Sequence, residues 1–356
     1  MVRIFGGFIF TLPRDTAVAL SKNLKSLGFK LAQGLFTLLC FFWISQKIDG
    51  QVLRQQLHSL HWGWAAVGII SFWLQLLLWA WRWRIMLIAA AGQQKNLSPT
   101  NRPPLLKLYA YYHIGAFFNQ ALPGNISGDV LRGLYVRPWV GGLSLSIGLV
   151  LVERLLGLGA LLGLAGVSAL GLTSQLDALP GMGWLLALLC GGYLFGLWVV
   201  AKLPLPKLPF AIWDKIRGKL LDTRAVLVTT LKNRALLQKI LAISLIGQLV
   251  TVVTIGANAW ALGMTLPLSS LLVVWPVTSV LLTLPISLAG WGLREGVLVF
   301  FLTRQGLSVE SALALSLLNG VTILLASLPG GLLWWAMPPA KLASDKNLQH
   351  AVPVVE

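Results

Sequence analysis

Two stretches of this chain place polar chemistry inside apolar sequence. LPGNISGDVLRG spans 122–133 and LPISLAGWGLREG spans 284–296. Without a gap, both read L-P-x-x-[IL]-[SA]-G-x-x-L-R, and Pro123 and Pro285 lie 162 residues apart. Pro123, Gly124 and Pro285 stop an incoming helix and form hairpin tips. Gly128 and Gly290 permit a sharp turn and close approach of a ligand to the backbone. Asn125, Ser127 and Ser287 can satisfy backbone groups freed at the break or cap the outgoing helix. That outgoing helix aims its N–H groups and positive dipole end at the tip, which suits an anion. Arg132 and Arg294 follow about one turn later. Two arginines beside two helix N-termini make a phosphate cradle, because a guanidinium binds phosphate through two parallel hydrogen bonds. The expected substrate-binding set is Arg132, Arg294, Asn125, Ser127, Gly128 and Gly290.

The same residues also have internal partners within reach. Asp129 is three residues before Arg132 and shares its helix face. Glu295 adjoins Arg294, and Glu153 with Arg154 sits inside a long apolar run. Pairing, or gating through those pairs, is the expected role of Asp129, Glu153, Arg154 and Glu295. No catalytic residue, metal ligand set or cofactor motif is expected. His58, His61, His113 and His350 show no ligand spacing, and Cys40 and Cys190 both lie in apolar runs.

What must position these groups is a membrane fold. The chain has 356 residues, 56% hydrophobic and only 11% charged. Apolar runs long enough to cross a bilayer recur, and the short alternating segments of a β-barrel are missing. The net charge of +17 does not point to nucleic acid. The basic residues sit between apolar runs, where they set orientation and meet anionic headgroups.

Lys and Arg placement gives the topology. A basic leader, 1–28, precedes a span at 29–46, so the N-terminus is cytoplasmic. A second span, 62–81, ends in WAWRWR, an aromatic belt whose arginines suit the headgroup layer. Arg82, Arg84, Lys95, Arg102 and Lys107 then form a basic inner loop. Later spans fall at 142–172, 184–201, 240–262 and 312–335. The segment 202–239 carries nine Lys or Arg against Asp214 and Asp222, the strongest inner-face signal. The segment 105–140 must then start and finish inside, and 269–303 must start and finish outside. Both become re-entrant hairpins, opened to opposite faces. The predicted fold class is an all-α polytopic membrane protein of about six spanning helices plus two opposed hairpins, an inverted-topology repeat. The membrane domain runs 29–337, followed by a cytoplasmic tail, 338–356. Gly157, Gly159, Gly163 and Gly166 read as a helix-packing face.

Three stretches together carry a family resemblance. FFNQALPGNISGDVLRG (117–133), VERLLGL (152–158) and LPISLAGWGLREG (284–296) resemble the signatures of the lysylphosphatidylglycerol synthase transmembrane family. The resemblance implies a helical bundle that moves, or helps move, lipids between leaflets. It marks Asn119, Asn125, Gly128, Asp129 and Arg132, then Glu153 and Arg154, then Gly290, Arg294 and Glu295 as the polar positions. Two-domain relatives carry a soluble aminoacyl-transfer domain after the membrane region. About twenty residues follow Trp335 here, so lipid aminoacylation by this chain is not expected.

The expected function is that of a non-enzymatic lipid flippase of a bacterial inner membrane, with both termini cytoplasmic. It takes an anionic phospholipid or polyprenyl-phosphate-type lipid, headgroup at the midplane between the hairpins. A lipid-binding accessory protein that holds a biosynthetic enzyme partner through the basic segment is the main alternative. A lipid-dependent transferase is the weaker one, since Glu153 is the sole candidate base.

Overall fold

The computed structural model describes residues 42, 51, 58–92, 102–121, 127–171, 181–203, 211–283 and 290–337. The leader, almost all of the span at 29–46, the tail, and the tip residues Pro123, Gly124, Asn125 and Pro285 lie outside the described residues. The described chain is helical throughout, with no strand among the described residues. The helices in order are α1 Trp62–Ala91, α2 Leu105–Ala121, α3 Ser127–Val140, α4 Leu143–Gly171, α5 Met182–Lys202 and α6 Ala211–Lys232. They continue with α7 Arg234–Ala261, α8 Leu268–Leu282, α9 Leu293–Arg304, α10 Val309–Ser327 and α11 Pro329–Ala336.

Among the described residues, five stretches are long and apolar enough to cross a membrane: α1, most of α4, α5, α7, and α10 together with α11. The paired helices around the two motifs are shorter. α2, α3, α8 and α9 have 17, 14, 15 and 12 residues. At 1.5 Å per residue they reach about 18–26 Å, less than the roughly 30 Å hydrocarbon core. Pro329 stands at the first position of α11 and separates it from α10, where a proline is tolerated because that N–H needs no helical partner.

Two corrections concern the first described span. α1 does not end at the WAWRWR stretch. It runs on to Ala91, for 30 residues. Arg82 and Arg84 consequently lie within the helix rather than in a loop after it, and Arg82 is buried. The sequence after Arg84, IMLIAAA, is apolar and helix-compatible, so nothing stops the helix at the arginines.

α1 and α7 pack antiparallel along nearly their whole lengths. The His61 amide donates to the Ala261 carbonyl at 2.7 Å, and the rings of Trp64 and Trp260 are 4.8 Å apart. Further along, Gly68 meets Asn258 and Gly247 meets Trp79, Gln75 donates to Thr251, and Arg82 donates to Ser244 at 2.8 Å. Gly68, Gln75 and Arg82 are spaced by seven on α1, as are Ser244, Thr251 and Asn258 on α7. A spacing of seven keeps one helix face toward its partner. The seam is therefore a ladder of polar pairs at the centre of an apolar bundle.

Much of the remaining packing falls into matched pairs around this seam. α1 packs on α2 and α7 on α8. α2 packs on α3 and α8 on α9. α3 packs on α4 and α9 on α10. α4 packs on α7 and α10 on α1. α4 packs on α8, and α10 with α11 packs on α2. Apart from the touch of α3 on α1, each contact made by the first hairpin has a counterpart made by the second.

Candidate functional site

The α2–α3 hairpin is closed by backbone proximity. Gly115 of α2 and Gly128 of α3 face each other so closely that a Cβ on Gly128 would overlap the Gly115 carbonyl. Gly128 thus admits a helix, where the sequence suggested approach by a ligand. Its amide donates to Asn119 Oδ1 at 2.8 Å, and Ser127 Oγ donates to the Phe118 carbonyl at 2.9 Å. The first turn of α3 therefore finds acceptors on α2, and Asp129 adds negative charge at the positive helix end.

Below that turn lies a cluster of five charged side chains. Arg132 Nη2 donates to Asp129 Oδ1 at 2.5 Å, and its Nη1 donates to Glu153 Oε2 at 3.1 Å. Arg82 Nη2 donates to Glu153 Oε1 at 2.7 Å, and the Tyr112 hydroxyl donates to the same oxygen. Arg154 pairs with the other oxygen of Asp129. The Arg132 guanidinium also lies 4.0 Å from the Tyr112 ring centroid and 4.9 Å from that of Trp83, a cation–π arrangement. Gly157 leaves room for Arg82, since a Cβ there would sit 3.2 Å from Nη1.

The cluster draws on five helices: Arg82 from α1, Tyr112 from α2, Asp129 and Arg132 from α3, Glu153 and Arg154 from α4, and Ser244 from α7. Arg82, Arg132, Asp129 and Glu153 are buried and balance in charge. Arg154, with 37% of its side chain exposed, brings the cluster to +1 and forms its open edge. Desolvated charges persist only when paired and hydrogen-bonded. Glu153, accepting from Arg82, Tyr112 and Arg132, is the hub.

The second hairpin builds a smaller, neutral version. Gly290 and Gly292 take left-handed backbone angles, φ +84° and +81°, which glycine adopts without steric cost. The Gly292 amide donates to Glu295 Oε2 at 2.6 Å, closing the N-terminus of α9. Arg294 donates to Glu295 Oε1 from both Nε, at 3.1 Å, and Nη2, at 2.8 Å. Ser316 of α10 donates to that oxygen too, at 3.2 Å. The guanidinium stacks 4.5 Å from the Trp291 ring centroid and occupies the space that a side chain at Gly320 would fill. Gly290 packs near Leu282.

The structure thus gathers Arg132, Asp129, Glu153 and Arg154 in one site and Arg294 with Glu295 in another. Ser127 and Gly128 stand at the top of the first, Gly290 beside the second. Among the α4 glycines, Gly157 faces Arg82 and Gly159 faces Tyr193, whereas Gly163 and Gly166 meet nothing within 4 Å. Sequence reasoning missed Arg82, Tyr112 and the Asn258–Asn319–Thr322 group. In that group Asn258 Nδ2 donates to Asn319 Oδ1 at 3.1 Å, and Thr322 donates to Asn258 Oδ1 at 3.0 Å. The signal that could have found Arg82 is its seven-residue spacing from Gln75 within apolar sequence.

An all-helical architecture with several helices long and apolar enough to cross a bilayer is that of a polytopic membrane protein. Residues 29–330 match the family described as the lysylphosphatidylglycerol synthase TM region. The chain belongs to that family of membrane proteins. No curated protein and no solved structure matches it.

Proposed function

We propose that the protein carries anionic lipids across a bacterial inner membrane as a non-enzymatic, flippase-like transporter, with both termini cytoplasmic. The observation that carries this reading is the first-hairpin cluster: three arginines, two carboxylates and a net charge of +1, enclosed at a helix break with Arg154 at its edge. A lipid phosphate competes with Asp129 for Arg154 and Arg132. Displacing a carboxylate by a phosphate conserves the number of charge-assisted hydrogen bonds, so binding and release stay close in free energy. The acyl chains trail in the bilayer. A phospholipid and a polyprenyl phosphate present the same phosphate chemistry to this edge.

The two hairpins are read as inverted repeats. Supporting this are the antiparallel α1–α7 seam and the matched packing around it, since equivalent helices of an inverted repeat run in opposite directions. The polar ladder links the two arginine sites and gives the halves an interface on which to rock.

Lipid binding tests the headgroup assignment. Purified protein titrated with phosphatidylglycerol and with phosphatidylcholine is expected to prefer the anionic lipid. Arg154→Ala should remove that preference while leaving the buried pairs intact. Equal binding of both lipids by the unaltered protein contradicts the assignment.

A further inference from the structure

α5 and α6 are the described helices that the matched packing leaves over. α5 packs on α4, antiparallel to it. The Tyr193 hydroxyl donates to the Leu155 carbonyl at 3.0 Å, and Cys190 Sγ lies 3.9 Å from the Leu162 carbonyl. Gly159 takes the edge of the Tyr193 ring, where a Cβ would stand 2.9 Å from Cζ. Leu158, Leu161 and Leu162 complete the contact with Leu189, Cys190 and Tyr193. The seat for α5 is therefore the stripe of Leu155, Leu158, Gly159 and Leu162.

The separation of 162 residues that superimposes the two hairpin motifs carries this stripe onto Leu317, Gly320, Val321 and Leu324 of α10. Two of those positions stand open. Val321 is 41% exposed and Leu324 39%, and the stripe continues through Leu325 at 48% and Leu328 at 47%. Steps of three and four residues keep them on one helix face. Among the described residues, the second half thus leaves the Val321–Leu324 side of the corresponding seat uncovered, while Leu317 and Gly320 pack inward.

We infer that the segment 29–46 of this same chain, FKLAQGLFTLLCFFWISQ, occupies that seat and packs antiparallel on α10. α5 precedes α7, and 29–46 is the apolar segment that precedes α1, the counterpart of α7. Its direction fits. Lys22, Lys25 and Lys30 hold its start at the inner face, so it runs outward while α10 runs inward. Its reach fits as well. Fifteen residues, 47–61, join it to α1, enough for about 50 Å of extended chain. The start of α1 is already close to the start of α10. Leu60 and Ala65 pack against the apolar cluster that contains Ala312, Leu313 and Leu315. The inference rests on the repeat reading and is independent of what the protein transports.

Disulfide mapping in native membranes tests it. Cys40 and Cys190 are first replaced by serine, and a protease site is inserted within 47–57. Single cysteines from 34 to 42 are then paired with Leu324→Cys on α10 or with Leu188→Cys on the outward face of α5. After oxidation and cleavage, the fragments are expected to stay joined for Leu324→Cys, with efficiency peaking every three to four positions along 34–42. The link should be lost when the reporter moves to Leu188. Cross-linking to Leu188→Cys instead, joining of two differently tagged copies through Leu324→Cys, or no joining at any pair overturns the assignment. A cross-link without lipid movement in vesicles separates this inference from the transport reading.

Discussion

Glu153→Gln should produce the largest loss of stability of any single change in this protein. Glu153 is 1% exposed and compensates two buried arginines, Arg82 and Arg132. The amide that replaces it carries no charge and presents one oxygen in place of two acceptors. Arg132 retains Asp129 as a counter-charge, but Arg82 loses the carboxylate it pairs with and keeps neutral acceptors such as Ser244. Removing one partner of a buried ion pair costs about 3–5 kcal/mol, because the remaining charge stays desolvated. The midpoint of thermal unfolding in detergent should fall accordingly. The diagnostic result is compensation. Arg82→Met combined with Glu153→Gln removes the stranded charge and should recover a substantial part of the loss, although either change alone is destabilising. A double variant no more stable than Glu153→Gln alone would place the cost outside this pair.

Gly128→Ala should come next, for a steric reason. The new Cβ would overlap the Gly115 carbonyl and Cα across the hairpin. Both obstacles are backbone, so no rotamer change relieves them and α2 must separate from α3. Overpacking of a filled interior costs about 1–3 kcal/mol, with rigid backbone at the upper end. The Gly128–Asn119 bond and the first turn of α3 would move with it, and that turn places Asp129 and Arg132. Gly163→Ala is the matched control. A Cβ there meets nothing within 4 Å, and alanine favours helix by roughly 1 kcal/mol over glycine. Unfolding midpoints of the two variants should therefore shift in opposite directions. Equal midpoints would remove the steric account of the hairpin.

The helix ends at Ala121 and Leu282 were legible, because each comes just before a proline-containing motif and proline is a poor helix residue by local chemistry. The pairing of Asp129 with Arg132 was readable from a three-residue spacing on one helix. Glu153 stood out because a carboxylate inside an apolar run needs a partner. Its main partner was not readable. Arg82 lies between tryptophans, and that composition suits an interfacial belt as well as a buried helix. Only the packing of α1 against α4 and α7 puts it in the core. The α1–α7 seam is likewise non-local. Its polar residues are spaced by seven on each helix, but nothing in either sequence says which helix faces the other. At Gly128 the residue type was informative and its neighbour was not, since a glycine admits a helix backbone as readily as a ligand.

The central claim is that the arginine sites at the two hairpins serve transbilayer movement of anionic lipid. Its most direct test is lipid movement in proteoliposomes. Purified protein is reconstituted with fluorescent phosphatidylglycerol or phosphatidylcholine, and an impermeant quencher reads the outer leaflet. The account predicts faster exchange of the anionic lipid with the unaltered protein than in protein-free vesicles. It predicts loss of that exchange in Arg132→Ala and Arg294→Ala that still fold and reconstitute. Anionic lipid exchanging no faster than in empty vesicles, with or without an imposed proton gradient or membrane potential, would contradict it.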